Sequence, residues 1–185
     1  MGQLKTPIRA DLVDTNVVVF SIEDARLLFS HGFYGKPLGV PKPKGADFEA
    51  PLILDMIEAN YLAEKGVVQV HHEGRPMQRE ELAALGNKLY TKFPPLYAVY
   101  RDLRERGFVV TPGIKFGSDF AVYKHGPGID HAPYIVQVKT ADEEISSSEV
   151  VRAGRLATTV RKNFIIAVPE EGGRVRYLLF SWVRL

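Results

Sequence analysis

Short apolar segments of strand length alternate along this chain with helix-length stripes that end at a glycine. Residues 15–20 are β-branched and apolar, and the stripe over residues 22–31 ends at Gly32. A second stripe, in which apolar residues recur at helical spacing over residues 52–62, ends at Gly66. Such alternation is typical of chains that pack helices against a sheet. The sequence therefore predicts an α/β (α+β) fold.

The pattern changes in the second half of the chain. Residues 78–106 are helical, with an interruption at Pro94-Pro95 that suits the first turn of a new helix. Beyond Gly107 the pattern favours strands at 108–110, 114–124, 134–139, 164–168 and 175–183, with one helix at about 148–162. We expect an N-terminal α/β domain over residues 1–82, with a basic proline-rich loop at about 37–50, and a C-terminal mixed-sheet domain over residues 83–185.

Composition excludes several protein classes. The 185 residues are 45% apolar and 25% charged, which is ordinary globular usage and excludes intrinsic disorder. The absence of cysteine excludes zinc fingers and disulfide scaffolds. No apolar run reaches the ~18 residues that a membrane span needs, and the first residues lack a signal-peptide core. We expect a cytoplasmic protein with no membrane partner.

Three residue types that can carry acid–base chemistry follow one another in the second half. Tyr123 ends a predicted strand, His131 follows a Gly/Pro-rich loop, and Lys162 lies near the end of a basic helix. Spacing alone does not bring them together, since each also has an ordinary structural explanation. Phosphate-binding glycine loops and paired metal-ligating histidines on a helix are absent from the sequence. We therefore predict no metal and no cofactor.

Several longer segments nevertheless form a specific combination. They are Phe33–Gly35, Leu54–Gly66, Tyr97–Phe108, Lys115–Tyr123, His131–Val136 and Val151–Lys162. In this order they resemble the archaeal tRNA-splicing endonucleases, also called tRNA-intron endonucleases. The proline-lysine loop is similar to that of crenarchaeal catalytic subunits of this family.

The resemblance implies a catalytic triad of Tyr123, His131 and Lys162. In the family's usual assignment Tyr123 is the base that activates a 2′-hydroxyl, and His131 is the acid that protonates the leaving 5′-oxygen. A phenol near its reference pKa of ~10 is a poor base, so a neighbouring ammonium is needed to stabilise the phenolate. The Tyr-to-His loop is slightly shorter than is usual, which leaves His125 as a rival for the histidine role.

The resemblance also implies how RNA is bound. The family's substrate is precursor tRNA with a bulge-helix-bulge at the intron junction, and its bulged bases can stack between guanidinium groups. Arg155 matches one arginine of such a clamp. Arg184 is the candidate for the second, with Arg176 behind it, and Lys44, with Lys42 close behind, is the candidate RNA contact in the basic loop.

Two bulges need two active sites at a fixed distance, and family enzymes are tetramers or pseudo-tetramers. The resemblance implies that an acidic loop containing Glu170 and Glu171 inserts into a neighbouring subunit and that the tail over residues 178–185 pairs between subunits. A crenarchaeal-type chain would join a non-catalytic structural subunit as (αβ)₂. A homotetramer is the alternative.

Two other functions remain open from the sequence. Asp119 and Gln137-Val138-Lys139 resemble the metal-binding pattern of restriction-endonuclease-like folds, to which the C-terminal domain is expected to be similar. Such a site would use Mg²⁺ held by carboxylates. A non-catalytic RNA-binding or scaffold subunit is the third possibility.

Overall fold

Each half of the chain forms its own mixed sheet. The computed structural model describes residues 6–41, 43, 45–159 and 163–180. The two units divide between Phe93 and Pro94, whereas the sequence analysis places the boundary after residue 82. The difference arises because helix α3 (Arg79–Leu89) packs on the first unit, where Leu82 is buried and its carbonyl accepts a bond from Asn60 Nδ2 at 3.4 Å.

The first sheet has six strands in the order β3-β4-β2-β1-β5-β6. The strands are β1 (Ile8–Val13), β2 (Asn16–Val19), β3 (Lys36–Pro37), β4 (Leu52–Leu54), β5 (Val68–His72) and β6 (Arg75–Pro76). Only β1 and β5 run parallel, and the other neighbours are antiparallel. The sequence analysis missed β1 because charged residues alternate with its buried ones. Ile8 and Ala10 are buried, while Arg9 pairs with Asp11 at 2.8 Å.

Two helices of this unit begin at side chains that accept backbone N–H groups. Ser21 caps α1 (Ile22–Gly32) by accepting a bond from the Asp24 N–H. The helical stripe predicted from Leu52 is wrong in its first turn, because Leu52–Leu54 is strand β4. Asp55 accepts the Ile57 N–H at 2.8 Å, so α2 (Met56–Glu64) starts only at Met56.

Glu58 links the Phe33–Gly35 segment to helix α2. Its carboxylate is 5% exposed and accepts the Gly35 N–H at 3.2 Å and the Asp55 N–H at 3.0 Å. Gly35 has φ +71°, and an added Cβ would lie 2.7 Å from Leu52 Cγ. Only glycine fits this position without a shift of its neighbours. The chain entering β3 is thus fixed on α2 by a buried carboxylate.

The second sheet has five strands in the order β11-β10-β9-β8-β7. Its strands are β7 (Val109–Pro112), β8 (Phe120–Tyr123), β9 (Tyr134–Val138), β10 (Asn163–Pro169) and β11 (Val175–Phe180). Only β9 and β10 run parallel, and α5 (Ser147–Thr159) lies between them in sequence. The strand predicted over 114–124 is interrupted, because residues 114–116 form a 3₁₀ turn that ends at Gly117 with φ +65°.

Helices cover both faces of this second sheet. Tyr100 of α4 (Phe93–Glu105) packs on Phe120 of β8, with ring centroids 5.9 Å apart. The next residue, Ala121, joins the buried cluster that contains Ala153 of α5. Successive strand residues point to opposite faces, so α4 and α5 cover opposite faces. Among the residues described here, no helix is long and apolar enough to cross a membrane.

Candidate active site

Tyr123 is the last residue of β8, on the face of the sheet that α5 covers. It lies two residues beyond Ala121, so the two side chains share a face. Its half-buried ring packs against the cluster of Ala121, Ala132, Ile135, Ala153, Phe164 and Ile166. The core therefore holds the tyrosine ring at the end of its strand.

His131 lies in the connection between β8 and β9, and its side chain is exposed. Ala132, the next residue, is 3% exposed and belongs to the cluster on which Tyr123 packs. The last described pair of the β8–β9 ladder is Val122 and Tyr134, directly next to this connection. The backbone that follows His131 is therefore fixed to the same corner of the sheet as Tyr123.

Strand β10 begins at this corner as well. The Asn163 N–H donates to the Pro133 carbonyl at 2.9 Å, and Asn163 Nδ2 reaches the same oxygen at 3.3 Å. Pro133 lies two residues beyond His131, and Asn163 is the residue that follows Lys162 in sequence. Lys162 itself lies outside the described residues, as do Lys42, Lys44 and Arg184.

The connection from Tyr123 to His131 is closed by a carboxylate that the sequence analysis missed. Asp130 Oδ2 accepts the N–H groups of Lys124 at 3.0 Å and His125 at 3.2 Å, and Oδ1 accepts that of Gly126 at 2.8 Å. Partial burial raises the pKa of this carboxyl, but the three N–H donors outweigh it and leave the pKa below its ordinary value. An aspartate directly before a candidate catalytic residue, after a Gly-Pro-Gly turn, was the available signal.

Arg155 lies on the exposed side of α5, two residues beyond the buried Ala153. Residues two apart lie on nearly opposite sides of an α-helix, so Arg155 points away from the cluster on which Tyr123 packs. Arg176, the second choice for the other arginine of the clamp, pairs with Glu170 at 2.6 Å.

Glu170 and Glu171 lie in the hairpin between β10 and β11. The Glu170 N–H donates to the Arg174 carbonyl at 2.8 Å, and Glu171 begins a 3₁₀ turn. Both side chains are exposed, although the Glu170 carboxylate is held by Arg176. The hairpin presents an acidic tip to solvent.

Asp119 and Lys139 make contacts typical of structural residues. Asp119 Oδ2 accepts the Gln137 amide and the Val138 N–H, each at 2.7 Å. Lys139 Nζ pairs with Glu149 Oε1 at 2.8 Å, which ties the end of β9 to α5. Within the described part of the chain no group of three His, Cys, Asp or Glu side chains is arranged to hold a metal. For both residues, these contacts favour a structural role in holding strand β9 over a role in metal binding.

Comparison with known proteins matches both halves of the chain. The N-terminal domain model of the tRNA intron endonucleases matches residues 8–83, and that of their catalytic C-terminal domain matches residues 93–177. A tRNA-splicing endonuclease of Hyperthermus butylicus is 51% identical over 95% of this chain and 98% of its own length. Those of Saccharolobus islandicus and Sulfurisphaera tokodaii are each 42% identical over at least 95% of both chains.

The chain belongs to the tRNA intron endonuclease family. The resemblance inferred from the sequence motifs is thereby confirmed, and with it the enzyme class, a tRNA-splicing endonuclease. Tyr123, His131 and Arg155 all fall within the segment that matches the family's catalytic domain.

Proposed function

We propose that this endonuclease cleaves precursor tRNA at bulge-helix-bulge junctions by metal-independent attack of the RNA's own 2′-hydroxyl. The observation that carries the proposal is the meeting of three chain segments at one corner of the second sheet. Tyr123 ends β8 there, Ala132 anchors the His131 connection there, and Asn163, next to Lys162, bonds to Pro133. The described residues next to all three candidates thus lie at one corner of the sheet, and this supports the proposal.

In this reaction Tyr123 takes the proton of the 2′-hydroxyl, whose oxygen then forms a bond to the adjacent phosphorus. The bond from phosphorus to the 5′-oxygen breaks, and His131 gives that oxygen a proton. The Lys162 ammonium stabilises the tyrosine phenolate and the charge that develops on the pentacoordinate phosphorus. The products are a 2′,3′-cyclic phosphate and a 5′-hydroxyl, and the reaction consumes no cofactor.

Recognition in this proposal is structural. At each bulge one base stacks between Arg155 and Arg184, because guanidinium planes bind splayed-out bases well. The ion pair between Arg176 and Glu170 supports Arg184 as the second arginine of the clamp. Lys44, in the basic loop of the N-terminal domain, contacts the RNA backbone, where each cation adds salt-dependent affinity.

Two bulges are cut by two active sites, so the proposal includes an assembly. The acidic hairpin with Glu170 and Glu171 docks on a neighbouring subunit, and its exposed position supports that role. The partner is a non-catalytic structural subunit in an (αβ)₂ tetramer, and a homotetramer is the alternative.

Cleavage of a bulge-helix-bulge RNA in excess EDTA, with end-group analysis, tests this proposal. The assay is run with the chain alone and with a candidate structural subunit. Cyclic-phosphate and 5′-hydroxyl ends formed in EDTA support the proposal, and dependence on the added subunit supports (αβ)₂. Cleavage that EDTA abolishes and Mg²⁺ restores would overturn it in favour of Asp119 and Lys139. RNA binding without cleavage under every condition would indicate a scaffold subunit.

A further inference from the structure

The two proposed proton-transfer residues are joined by a short connection with little apolar anchoring. Between Tyr123 and His131, Gly126 is the only residue that is buried. Ile129, the one large apolar side chain of this connection, is 68% exposed. Burial of apolar surface therefore contributes little to the conformation of this segment. Hydrogen bonds must determine it instead.

Those hydrogen bonds converge on Asp130 and Gly126. The Asp130 carboxylate accepts three successive backbone N–H groups, those of residues 124, 125 and 126. In return the Gly126 carbonyl accepts the N–H groups of Ile129 and Asp130, each at 3.1 Å. Gly126 has φ +133° and Gly128 has φ +85°, which are backbone conformations that suit glycine. The segment is thus closed on itself, and one side chain supplies most of the closing bonds.

The position of Asp130 in the chain gives this closure its importance. Lys124 directly follows Tyr123, and Asp130 directly precedes His131. The Lys124 N–H, directly after one candidate, therefore bonds at 3.0 Å to the Asp130 side chain, directly before the other candidate. Because strand β8 and the core fix the Tyr123 end, the carboxylate fixes the His131 end relative to it.

We propose that Asp130 is a positioning residue that sets the distance and orientation of His131 relative to Tyr123. The inference rests on the proposed function of these two residues. Asp130 contacts neither the RNA nor the reacting atoms, and it acts through the backbone of the connection. General acid and base must both reach the substrate in the transition state, and a misplacement of ~1 Å can cost ~10²-fold in rate.

The primary test compares Asp130→Ala with wild type in the full chain, assembled with its structural subunit if cleavage requires one. Single-turnover cleavage of the bulge-helix-bulge RNA should fall by ~10–100-fold, as expected for a misplaced catalytic group. Affinity for the RNA and the thermal unfolding midpoint should remain close to those of wild type, because the segment is near the surface. A cleavage rate equal to wild type would overturn the inference, as would a loss of affinity or folding that accounts for the whole effect.

Asp130→Asn gives an independent measurement if the alanine variant folds poorly. The amide oxygen still accepts from Lys124 and His125, but the amide NH₂ then faces the Gly126 N–H. We expect a rate between those of wild type and Asp130→Ala. An asparagine variant slower than the alanine variant, with both folded, would contradict a role based on accepting these N–H groups.

A matched control is available in the same sheet. The Glu143 carboxylate also accepts a loop N–H, that of Thr140 at 2.8 Å, but it follows the opposite end of β9 from His131. Glu143→Ala removes a loop-closing carboxylate without altering the Tyr123–His131 connection. Its cleavage rate should equal that of wild type, and a loss as large as that of Asp130→Ala would assign both carboxylates to general stability.

Coupling to His131 separates positioning from a structural role. If Asp130 acts through His131, then Asp130→Ala should slow wild type but add no further loss to His131→Ala. Equal losses in both backgrounds would overturn the inference. The His131→Ala variant also separates the two proposals, because its full activity would contradict the proposed function itself. An inactive His131→Ala together with a fully active Asp130→Ala would contradict only the positioning role.

Discussion

The two units use the same chemical device in opposite surroundings. In the first unit the Glu58 carboxylate accepts the N–H groups of Gly35 and Asp55 while 5% exposed. In the second unit the Asp130 carboxylate accepts three N–H groups, two of which belong to the exposed residues Lys124 and His125 and one to the buried Gly126. A buried donor that loses its acceptor pays the full cost of desolvation, whereas an exposed donor turns to water. The same interaction therefore supports stability in one unit and geometry in the other.

Tyr123→Phe should have the largest effect on activity and almost none on stability. The phenyl ring keeps its packing on the buried cluster, but the group that takes the 2′-hydroxyl proton is gone. We expect the single-turnover cleavage rate to fall by ~10²–10⁴-fold, the usual range for a general acid–base group. The unfolding midpoint, measured on the same preparation, should remain unchanged. A rate within twofold of wild type would remove Tyr123 from the proposed chemistry.

Glu58→Ala should have the reverse profile. The Gly35 and Asp55 N–H groups lose their acceptor in a buried place, so the free energy of unfolding should fall by about 3 kcal/mol. Calorimetry of the full chain measures the shift. Glu64→Ala, on the same helix but with its partner Arg79 on the surface, is the control and should cost well under half as much. Comparable losses in the two variants would contradict the contrast between a buried carboxylate that accepts backbone N–H groups and a half-buried one that pairs with a surface arginine.

Glu149 should give a smaller, pH-dependent effect. The Lys139 ammonium and the Ser146 N–H hold the pKa of Glu149 at about 2, below its ordinary value of 4.5. A lowered pKa in the folded state means that the ionised carboxylate contributes stability above about pH 4.5 and loses that contribution as pH falls towards about 2.

The measurement is the difference in unfolding free energy between wild type and Glu149→Gln across this pH range. It should be constant above pH 5 and shrink as the solution becomes more acidic. Glu144→Gln, at an exposed position in the loop that precedes α5, is the control. A difference that does not change with pH would show that the pair with Lys139 contributes nothing through its charge.

Local signals predicted the helices better than the strands. Ser21 marks the start of α1 because its hydroxyl caps the helix, and that chemistry is visible in the sequence. Strand β4 was misread because Leu52–Leu54 continues the apolar spacing of α2, and only pairing with β2 and β3 makes it a strand. Strand β1 was missed for a different reason: Arg9 and Asp11 alternate with its buried residues and mask its apolar face.

The candidate site shows the same limit. Tyr123 and His131 could be selected by residue type and motif, but the contacts that hold them could not. Asn163 bonds to a proline carbonyl thirty residues away, and Ala132 belongs to a buried cluster with residues from four elements, β8, β9, α5 and β10. Asp130 was overlooked because its partners are backbone N–H groups, which every residue except proline carries, so its place after the Gly-Pro-Gly turn was the only signal of its role.

That last property has a consequence for how this enzyme can vary. Because Asp130 binds only main-chain groups, the side chains at 124, 125 and 129 are not needed to shape the connection, and they project outward beside the proposed site. With His131 as the proposed acid, these positions can exchange charge, size and aromatic character while the chemistry is preserved. We therefore expect a library randomised at these three positions to yield variants with altered substrate preference.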